Sequence, residues 1–340
     1  MGCGTRLILM TDKCADLPVL SVKHLSIYFG GRGHAGLQVV NNVSFEVRAG
    51  EIVGIVGESG SGKSQILLSI MGLLPDGGRA AGSVRLLGRE ILGLPQSDLD
   101  GLRGAAMSMV FQDPMTCLTP HLRISRQMTE VLVRHRGMTE RAALSAAVRM
   151  LELVQIPDAR HRIQFYPHEF SGGMRQRVMV ATSLLCRPAV LLADEPTTAL
   201  DVTIQAQLLK LFADIAAEFG TAILIVTHDF GVVSELCDRI VVLYGGAVME
   251  TGLAPDIISD PQHPYTRGLL AAMPGLHQTP GTQLFTIPGQ ILPGANRPGC
   301  PFCQRCTDKI PVCATERPVL RAGSGRHIAC HVAGRAEVVA

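Results

Sequence analysis

Eight consecutive residues have the types and spacing of a phosphate-binding loop. They satisfy the pattern G-x-x-x-x-G-K-[ST] in full and read Gly57-Glu58-Ser59-Gly60-Ser61-Gly62-Lys63-Ser64. The glycines let backbone N–H groups and a helix N-terminus approach phosphate oxygens. Lys63 would hold the β- and γ-phosphates, and Ser64 would ligate Mg²⁺. The loop predicts a bound nucleotide, against the alternative of a Gly-rich turn with an exposed lysine. The predicted set extends to position 65, which is Gln65.

A second group of polar residues follows a short apolar run. Ala189–Ala193 precedes Asp194 and Glu195. An aspartate at the tip of a buried strand can reach the metal, and a neighbouring glutamate can polarise the attacking water. Buried strands often end in acidic residues, so the pair alone is a weak indication. Together with a phosphate loop, it predicts nucleotide hydrolysis.

A third motif opens a helix shortly before this acidic pair. It reads Ser171-Gly172-Gly173-Met174-Arg175-Gln176. Small residues at a helix N-terminus leave N–H groups free to bind an anion. The alternative is an ordinary N-capped helix, but the position just upstream of Asp194 favours the anion-binding interpretation.

The elements around these residues alternate between strand and helix. The apolar run Glu51–Val56 stops at Gly57, and Lys63–Met71 reads as a helix, which is the context that a phosphate loop requires. Ala222–Val226 and Ile240–Leu243 are further buried strands. Such alternation predicts an α/β fold with a largely parallel sheet.

Changes in composition and hydrophobic periodicity suggest domain boundaries. The length of 340 residues fits two domains. Residues 1–18 carry no pattern and form an N-terminal extension. We assign residues 19–258 to the ATPase domain, with an inserted helical subdomain at about 116–170. Residues 259–340 are rich in Pro and Gly and form a smaller, loop-rich C-terminal region.

Composition excludes several classes of protein. Hydrophobic residues make up 47%, which allows a sizeable core, and aromatic residues only 4%, so that core is aliphatic. The net charge of +2 gives no argument for a nucleic-acid partner. No apolar run reaches the ~20 residues of a bilayer span, and no secretory signal opens the chain. We therefore expect a cytoplasmic protein.

The loop, the acidic pair and Ser171–Gly173 together resemble the ABC ATPase family, over about residues 19–252. The resemblance implies a RecA-like P-loop core with an antiparallel β subdomain. It also implies a site shared by two subunits, because Ser171–Gly173 would complete the partner's site. Glu195 is then the catalytic base, and Lys63 contributes to catalysis by stabilising charge.

Further roles come only from this resemblance. Gln112, in Phe111-Gln112-Asp113-Pro114, resembles the residue that senses Mg²⁺ and the membrane partner. His228 resembles the switch histidine that contacts the γ-phosphate. Ala199-Leu200-Asp201 resembles a loop at the dimer interface. Phe29 resembles the aromatic residue that stacks on adenine, with Tyr28 as the alternative.

A narrower resemblance covers nearly the whole chain. Phe111–Pro120, Tyr166–Glu169, His263–Thr266 and the cysteine-containing tail resemble ATP-binding subunits of bacterial dipeptide/oligopeptide importers, a group that includes nickel importers. It implies an ATP hydrolase, with ATP and Mg²⁺, at the cytoplasmic face of the inner membrane. The implied partners are two integral membrane permease subunits, a second ATPase subunit and, indirectly, an extracytoplasmic peptide-binding protein.

Two other functions stay open. The same type of ATPase subunit could energise import of nickel or another small solute, because other subunits select the solute. A soluble, non-transport ABC protein usually has two cassettes or a long coiled coil, and this chain has one phosphate loop and no heptad run. Co-purification with membrane proteins would separate transport from non-transport functions.

Five of the ten cysteines crowd into the tail: Cys300, Cys303, Cys306, Cys313 and Cys330. In a cytoplasmic chain such crowding suggests a metal more than disulfides. The first three form a C-x-x-C-x-x-C run typical of iron–sulfur ligation. The importer resemblance instead implies a [4Fe–4S] cluster on the set without Cys303. Tetrahedral zinc is a rival, and reduced buried thiols are the third alternative.

Overall fold

The structure is a computed structural model. It describes residues 17–30, 36–113, 117–198, 201–273, 286–290, 298–323 and 325–333. The predicted extension 1–18 therefore lies outside the described residues except for Leu17 and Pro18, and so do Pro114, Ala199 and Leu200.

Twelve strands are present in the described residues. They are β1 (Leu20–Phe29), β2 (Leu37–Val47), β3 (Ile52–Val56), β4 (Gly78–Leu86), β5 (Arg89–Glu90), β6 (Met107–Val110), β7 (Val190–Asp194), β8 (Ala222–Thr227), β9 (Arg239–Tyr244), β10 (Ala247–Leu253), β11 (Arg321–Gly323) and β12 (Arg326–Ile328).

The described helices fall between these strands. They are α1 (Lys63–Met71), α2 (Gln96–Leu102), α3 (Ile124–Arg136), α4 (Glu140–Leu153), α5 (Ala159–Arg162), α6 (Gly172–Leu184), α7 (Val202–Phe219), α8 (Phe230–Leu236), α9 (Ala254–Ser259), α10 (Pro264–Ala271) and α11 (Val312–Thr315), with a 3₁₀ turn at Pro167–Glu169.

Two sheets organise the chain. A four-stranded antiparallel sheet has the order β2-β1-β4-β5, and an eight-stranded sheet has the order β11-β12-β10-β9-β3-β8-β7-β6. The five strands from β9 to β6 run parallel, whereas β10, β12 and β11 are antiparallel additions at one edge. The predicted α/β fold with a largely parallel sheet and an antiparallel β subdomain is confirmed.

Three hydrophobic clusters, composed mostly of aliphatic side chains, fill the interior. The first joins α1 to both sheets, around fully buried Ile66, Leu67 and Ile55. The second packs α7, α8 and part of the C-terminal region on the other face of the large sheet. The third lies within the helical insertion, where Ile124, Met128 and other apolar residues of α3 to α6 meet. Each helix therefore buries one stripe, as its spacing requires.

Local sequence signals fix several element ends. Helix α1 has the predicted bounds, and Gly72 ends it with φ 65°. Helix α7 begins where the Asp201 carboxylate accepts the N–H of Ile204 at 2.9 Å, and Gly220 ends it with φ 64°. A side-chain acceptor usually marks the start of a helix, and a glycine in the left-handed conformation usually marks its end.

The C-terminal region does not stand apart from the large sheet. Strand β12 pairs with β10, matching Glu250 with Ile328, and β11 adds to β12. Phe302 is buried in the same cluster as Tyr244 and Tyr265. Residues beyond 258 thus share a sheet and a core with the part of the chain that carries the phosphate loop.

No helix among the described residues has the length and apolar character needed to cross a bilayer.

Candidate functional site

Three neighbouring parallel strands end at the same edge of the large sheet. In the register, Val56 of β3 lies beside Thr227 of β8, and Asp194 of β7 lies beside Val226. Residues that follow these strands therefore come together although they are far apart in sequence. Ligand sites of open α/β sheets form at such carboxyl ends.

Glycine is required twice in the loop that follows β3. A Cβ at Gly57 would lie 2.1 Å from the carbonyl oxygen of Leu243. Gly62 has φ 100°, and its Cβ would lie 2.8 Å from the carbonyl oxygen of Val39. Only glycine allows the backbone to approach so closely and to adopt this left-handed conformation. The loop consequently turns directly into helix α1.

The Lys63 side chain folds back into the loop. Its Nζ donates to the carbonyl oxygens of Gly57 at 2.7 Å and Glu58 at 3.0 Å. Burial lowers the pKa of Lys63, while the nearby carboxylates of Glu195, Asp194 and Glu58 oppose that shift. The ammonium is thus held at the mouth of the loop, where phosphate oxygens can replace the carbonyls as its partners.

Ser64 and Asp194 meet at the start of α1. The Ser64 hydroxyl donates to Asp194 Oδ1 at 2.9 Å. Burial raises the pKa of Asp194, and the hydrogen bond from Ser64 partly opposes the shift. A hydroxyl and a carboxylate oxygen are ligands that Mg²⁺ prefers. The residues therefore fit the metal that a nucleotide site needs.

Glu195 lies at the centre of a small polar network. Its carboxylate accepts from Gln112 Nε2 at 3.2 Å and from the Thr198 hydroxyl at 3.1 Å. His228 Nδ1 is 3.2 Å from the other carboxylate oxygen. Glu195 also has φ 45°, a strained conformation for a residue other than glycine. The structure thus brings three of the predicted catalytic residues together and holds the glutamate firmly.

Two further polar atoms in this region lack partners within the described chain. The Ser61 hydroxyl belongs to a fully buried residue, and Gln65 Oε1 is also buried. Ser59 and Gly60 are exposed at the loop tip. A buried hydroxyl without a partner is costly, so a ligand that supplies one is favoured. A phosphate oxygen at the loop would do so for Ser61.

The predicted dimer-interface residues lie at helix starts. Ser171 caps α6 by accepting the N–H of Met174 at 3.4 Å, and Gly172 is exposed there. Within the described ranges, no hydrogen bond joins residues 171–173 to the loop at 57–64. Asp201 caps α7 in the same way, by accepting the N–H of Ile204 at 2.9 Å.

The predicted adenine-stacking residues lie near the end of β1. Phe29 is half-buried and packs against the first core cluster, whereas Tyr28 is exposed. The two side chains point to opposite faces of the strand because successive residues alternate.

The five tail cysteines are all described. Burial raises the pKa of Cys300 to about 12, and the thiols of Cys313, Cys330 and Cys306 add to the shift. Cys303 is not among these interacting thiols. In the described part of the chain, however, no three His, Cys, Asp or Glu side chains are grouped closely enough to hold a metal ion. The described side-chain positions therefore give no support to the predicted iron–sulfur cluster or zinc site.

Sequence reasoning missed three residues of this region. Thr198 is a hydrogen-bond donor to Glu195, and the three-residue separation between them could have indicated it. Tyr265 and Arg305 contact Glu58 in the phosphate loop. Both occur in segments that the importer resemblance covers, but no spacing relates either to residue 58, because the contacts depend on tertiary packing.

Comparison with known proteins agrees with this geometry. The profile of the ABC transporter family matches residues 40–198, and that of the oligopeptide/dipeptide transporter C-terminal region matches residues 249–313. The chain is similar to the oligopeptide transport ATP-binding protein OppD of Salmonella typhimurium. The two are 49% identical over 313 residues, covering 92% of this chain and 93% of that protein.

Two further proteins extend the comparison. The dipeptide transport ATP-binding protein DppD of Bacillus subtilis is 45% identical, covering 91% of this chain and 92% of its own. A solved dimeric bacterial ABC transporter cassette, MJ0796, superposes with a TM-score of 0.62 at 28% identity, covering 69% of this chain and 98% of the cassette. The same cassette has also been solved bound to ADP and Pi after hydrolysis.

Proposed function

The chain belongs to the ABC transporter family, in the branch with an oligopeptide/dipeptide transporter C-terminal region, and from this membership we propose that it hydrolyses ATP to energise import of di- or oligopeptides. The observation that carries the hydrolytic function is the convergence of Lys63, Ser64, Asp194 and Glu195 at one edge of the parallel sheet. This set supplies the parts that phosphoryl transfer to water needs.

Each residue has a distinct chemical part. Glu195 orients the attacking water and takes its proton, while Gln112 and His228 hold the carboxylate in place from two sides. Lys63 contacts the β- and γ-phosphates and stabilises charge that develops on them. Ser64 and Asp194 would hold Mg²⁺, which when bound neutralises charge on the phosphate oxygens.

The test is Glu195→Gln in the full-length chain. The amide keeps the size of the side chain but cannot accept the proton, so ATP binding is retained while hydrolysis falls about 100-fold or more. Glu218→Gln, at an exposed position near the end of α7, is the matched control and keeps full activity. Undiminished hydrolysis by the Glu195 variant would remove this residue from its role.

A second ATPase subunit, identical or homologous, completes each site in this proposal. The start of α6, capped by the Ser171 hydroxyl, is the part of this chain that would complete the partner's site. Support comes from the dimeric state of the similar cassette. ATP-dependent dimerisation of the Glu195→Gln chain, measured by light scattering, tests it. A chain that remains monomeric at saturating ATP, alone and with its transporter partners, would contradict it.

The membrane partners and the location are proposed on the same basis. The chain would sit at the cytoplasmic face of the inner membrane, bound to two permease subunits, and act on peptide delivered by an extracytoplasmic binding protein. Similarity to the oligopeptide and dipeptide ATP-binding proteins supports peptide over nickel. Loss of growth on peptides after gene deletion, with nickel uptake intact, is the discriminating result.

For the tail, an iron–sulfur cluster or zinc remains a prediction that only the chemistry of the thiols supports. Cys300, Cys306, Cys313 and Cys330 are the set to test, because the resemblance to the importer subunits implies these four. Iron, sulfide and zinc analysis after anaerobic purification decides the matter. A chain that contains neither metal would leave the cysteines as reduced core residues.

A further inference from the structure

Two side chains of the described C-terminal region contact Glu58 in the phosphate loop. The hydroxyl of Tyr265, at the start of α10, accepts the backbone N–H of Glu58 at 2.9 Å. Tyr265 is fully buried. The loop backbone is therefore tied, between Gly57 and Ser59, to a residue more than two hundred positions away.

A second contact reaches the side chain of Glu58. Arg305 Nη1 donates to Glu58 Oε2 at 2.8 Å, and only 7% of the Arg305 side chain is exposed. The other two guanidinium nitrogens also donate hydrogen bonds. Nε donates to the carbonyl oxygen of Pro288 at 2.8 Å, and Nη2 donates to that of Ile287 at 2.9 Å. A buried, fully engaged guanidinium presents its charge in one position.

Aromatic packing keeps these two residues in place. The rings of Tyr244 and Tyr265 lie 4.7 Å apart between centroids, and Phe302 lies 5.1 Å from Tyr244 and 5.2 Å from Tyr265. The Arg305 guanidinium lies 5.7 Å from the centre of the Tyr244 ring. Edge-to-face rings of this kind pack rigidly, so the tail forms a firm support beneath the loop.

The charge of Glu58 is felt by the residue that binds phosphate. The backbone carbonyl of Glu58 accepts from Lys63 Nζ at 3.0 Å, and its carboxylate raises the pKa of Lys63 against the lowering effect of burial. A carboxylate so close to the phosphate-binding lysine also repels the negative charge of a polyphosphate. Its effect depends on whether a cation neutralises it.

We propose that Arg305 and Tyr265 are positioning residues of the nucleotide site: Tyr265 fixes the backbone of the phosphate loop, and Arg305 neutralises Glu58 so that the loop accepts a nucleoside triphosphate. The C-terminal region thereby sets the ATP affinity of a loop that it does not belong to. This inference rests on the proposed nucleotide-binding function.

The test measures affinity for a non-hydrolysable ATP analogue with Mg²⁺, by calorimetry on the full-length chain. Arg305→Gln leaves Glu58 without its cation and weakens binding roughly tenfold. The KM for ATP rises by a similar factor, with kcat changed much less. Tyr265→Phe removes the acceptor for one loop N–H and weakens binding by about threefold.

A rescue variant separates charge compensation from a merely structural role. Glu58→Gln in the Arg305→Gln background removes the unpaired carboxylate, so the affinity returns to within about threefold of the wild type. If Arg305 mattered only through its bonds to Pro288 and Ile287, the second substitution could not restore them. Raising the salt concentration narrows the gap between Arg305→Gln and wild type, because salt screens the repulsion.

Arg267→Gln is the matched control. Arg267 forms an exposed ion pair with Asp308 in the same region and does not contact the loop, so its loss leaves nucleotide affinity unchanged. Wild-type chain that fails to bind the analogue would refute the proposed function itself. Wild-type binding with Arg305→Gln unchanged, or weakened but not rescued by Glu58→Gln, would refute the positioning role.

Discussion

The nucleotide site and the cysteine-rich tail bury polar groups in opposite ways. At the ends of β3, β7 and β8, the charged groups of Lys63, Asp194 and Glu195 lie within reach of one another. The two carboxylates oppose the lowering of the Lys63 pKa by burial, and Lys63 in turn opposes the raising of the Asp194 pKa by burial. In the tail, burial raises the pKa of Cys300 and Cys306, and the neighbouring thiols raise it further. The nucleotide site holds ionised groups close together, whereas burial keeps the cysteine thiols of the tail neutral.

This difference has a structural origin. Parallel strands deliver side chains of opposite charge to one edge, where hydrogen bonds to loops and helix starts hold them. The tail thiols lie mostly in irregular segments, where only Cys313 falls in a helix, the short α11. Charged groups that are preorganised for a ligand stabilise it most strongly in a site that excludes water. Neutral thiols contribute to folding stability mainly by packing against apolar neighbours.

The largest effect is expected where the charges are densest. Lys63→Ala removes the ammonium that meets the phosphates, and ATP hydrolysis falls about 1,000-fold, as for other lost transition-state contacts to phosphate. Lys210→Ala, at an exposed position on α7, is the control and retains activity. Phosphate release at saturating ATP measures both. Substantial hydrolysis by the Lys63 variant would mean that the first region does not work by concentrated charge.

The two regions also differ in how far the sequence predicts them. For the loop, residue types and local order are sufficient, because a strand, a glycine-rich turn and a helix at Lys63 determine one another within fifteen residues. The role of Asp194 and Glu195 follows from their position in the same sheet, where β7 ends beside the strands that carry the loop. For the tail, cysteine spacing predicts chemistry but not positions, since irregular segments take their shape from distant contacts.

The contact between Arg305 and Glu58 shows this limit most clearly. The two residues are 247 positions apart, and nothing in their local sequences relates them. Their approach depends on β12 pairing with β10 and on the packing of three aromatic rings. Short strands such as Arg326–Ile328 carry too few residues for a periodic signal to predict that pairing.

The second prediction concerns the C-terminal region, residues 259–340, and how its stability responds to acid. His263 is almost wholly buried, and burial, aided by the charge of Arg267, lowers its pKa from 6.5 to about 4. The unfolded chain therefore binds a proton between these two pH values and the folded chain does not. Folding stability falls as the pH drops through this window, by up to ~3 kcal/mol for this residue.

Urea unfolding between pH 4 and pH 7 measures the effect. His263→Asn keeps an acceptor for the N–H of Tyr265, which His263 Nδ1 accepts at 3.0 Å, but it has no proton to gain. The variant should lose less stability on acidification than the wild type. Equal pH dependence of the two chains would show that burial does not keep His263 neutral and would break the contrast between the regions.

The smallest effect distinguishes thiols that pack from thiols that bind a metal. Cys313 is 5% exposed and behaves as a small apolar residue, so Cys313→Ser buries a hydroxyl and lowers the free energy of unfolding by about 1–2 kcal/mol. Cys303 is half-buried and outside the interacting set, so Cys303→Ser changes the stability by less than about 0.5 kcal/mol.

Cys306→Ser is the variant that sharpens this last comparison. Cys306 is partly buried and packs against the second core cluster, so packing alone predicts a loss between those of the other two variants. A bound metal predicts something different, because removing any one ligand would forfeit binding energy that contributes directly to folding. In that case Cys306→Ser would destabilise the chain at least as much as Cys313→Ser, and a chelator would destabilise the wild type to the same level. Graded losses that follow burial, with no effect of the chelator, would mean that the thiols stabilise the tail by packing and not by holding a metal.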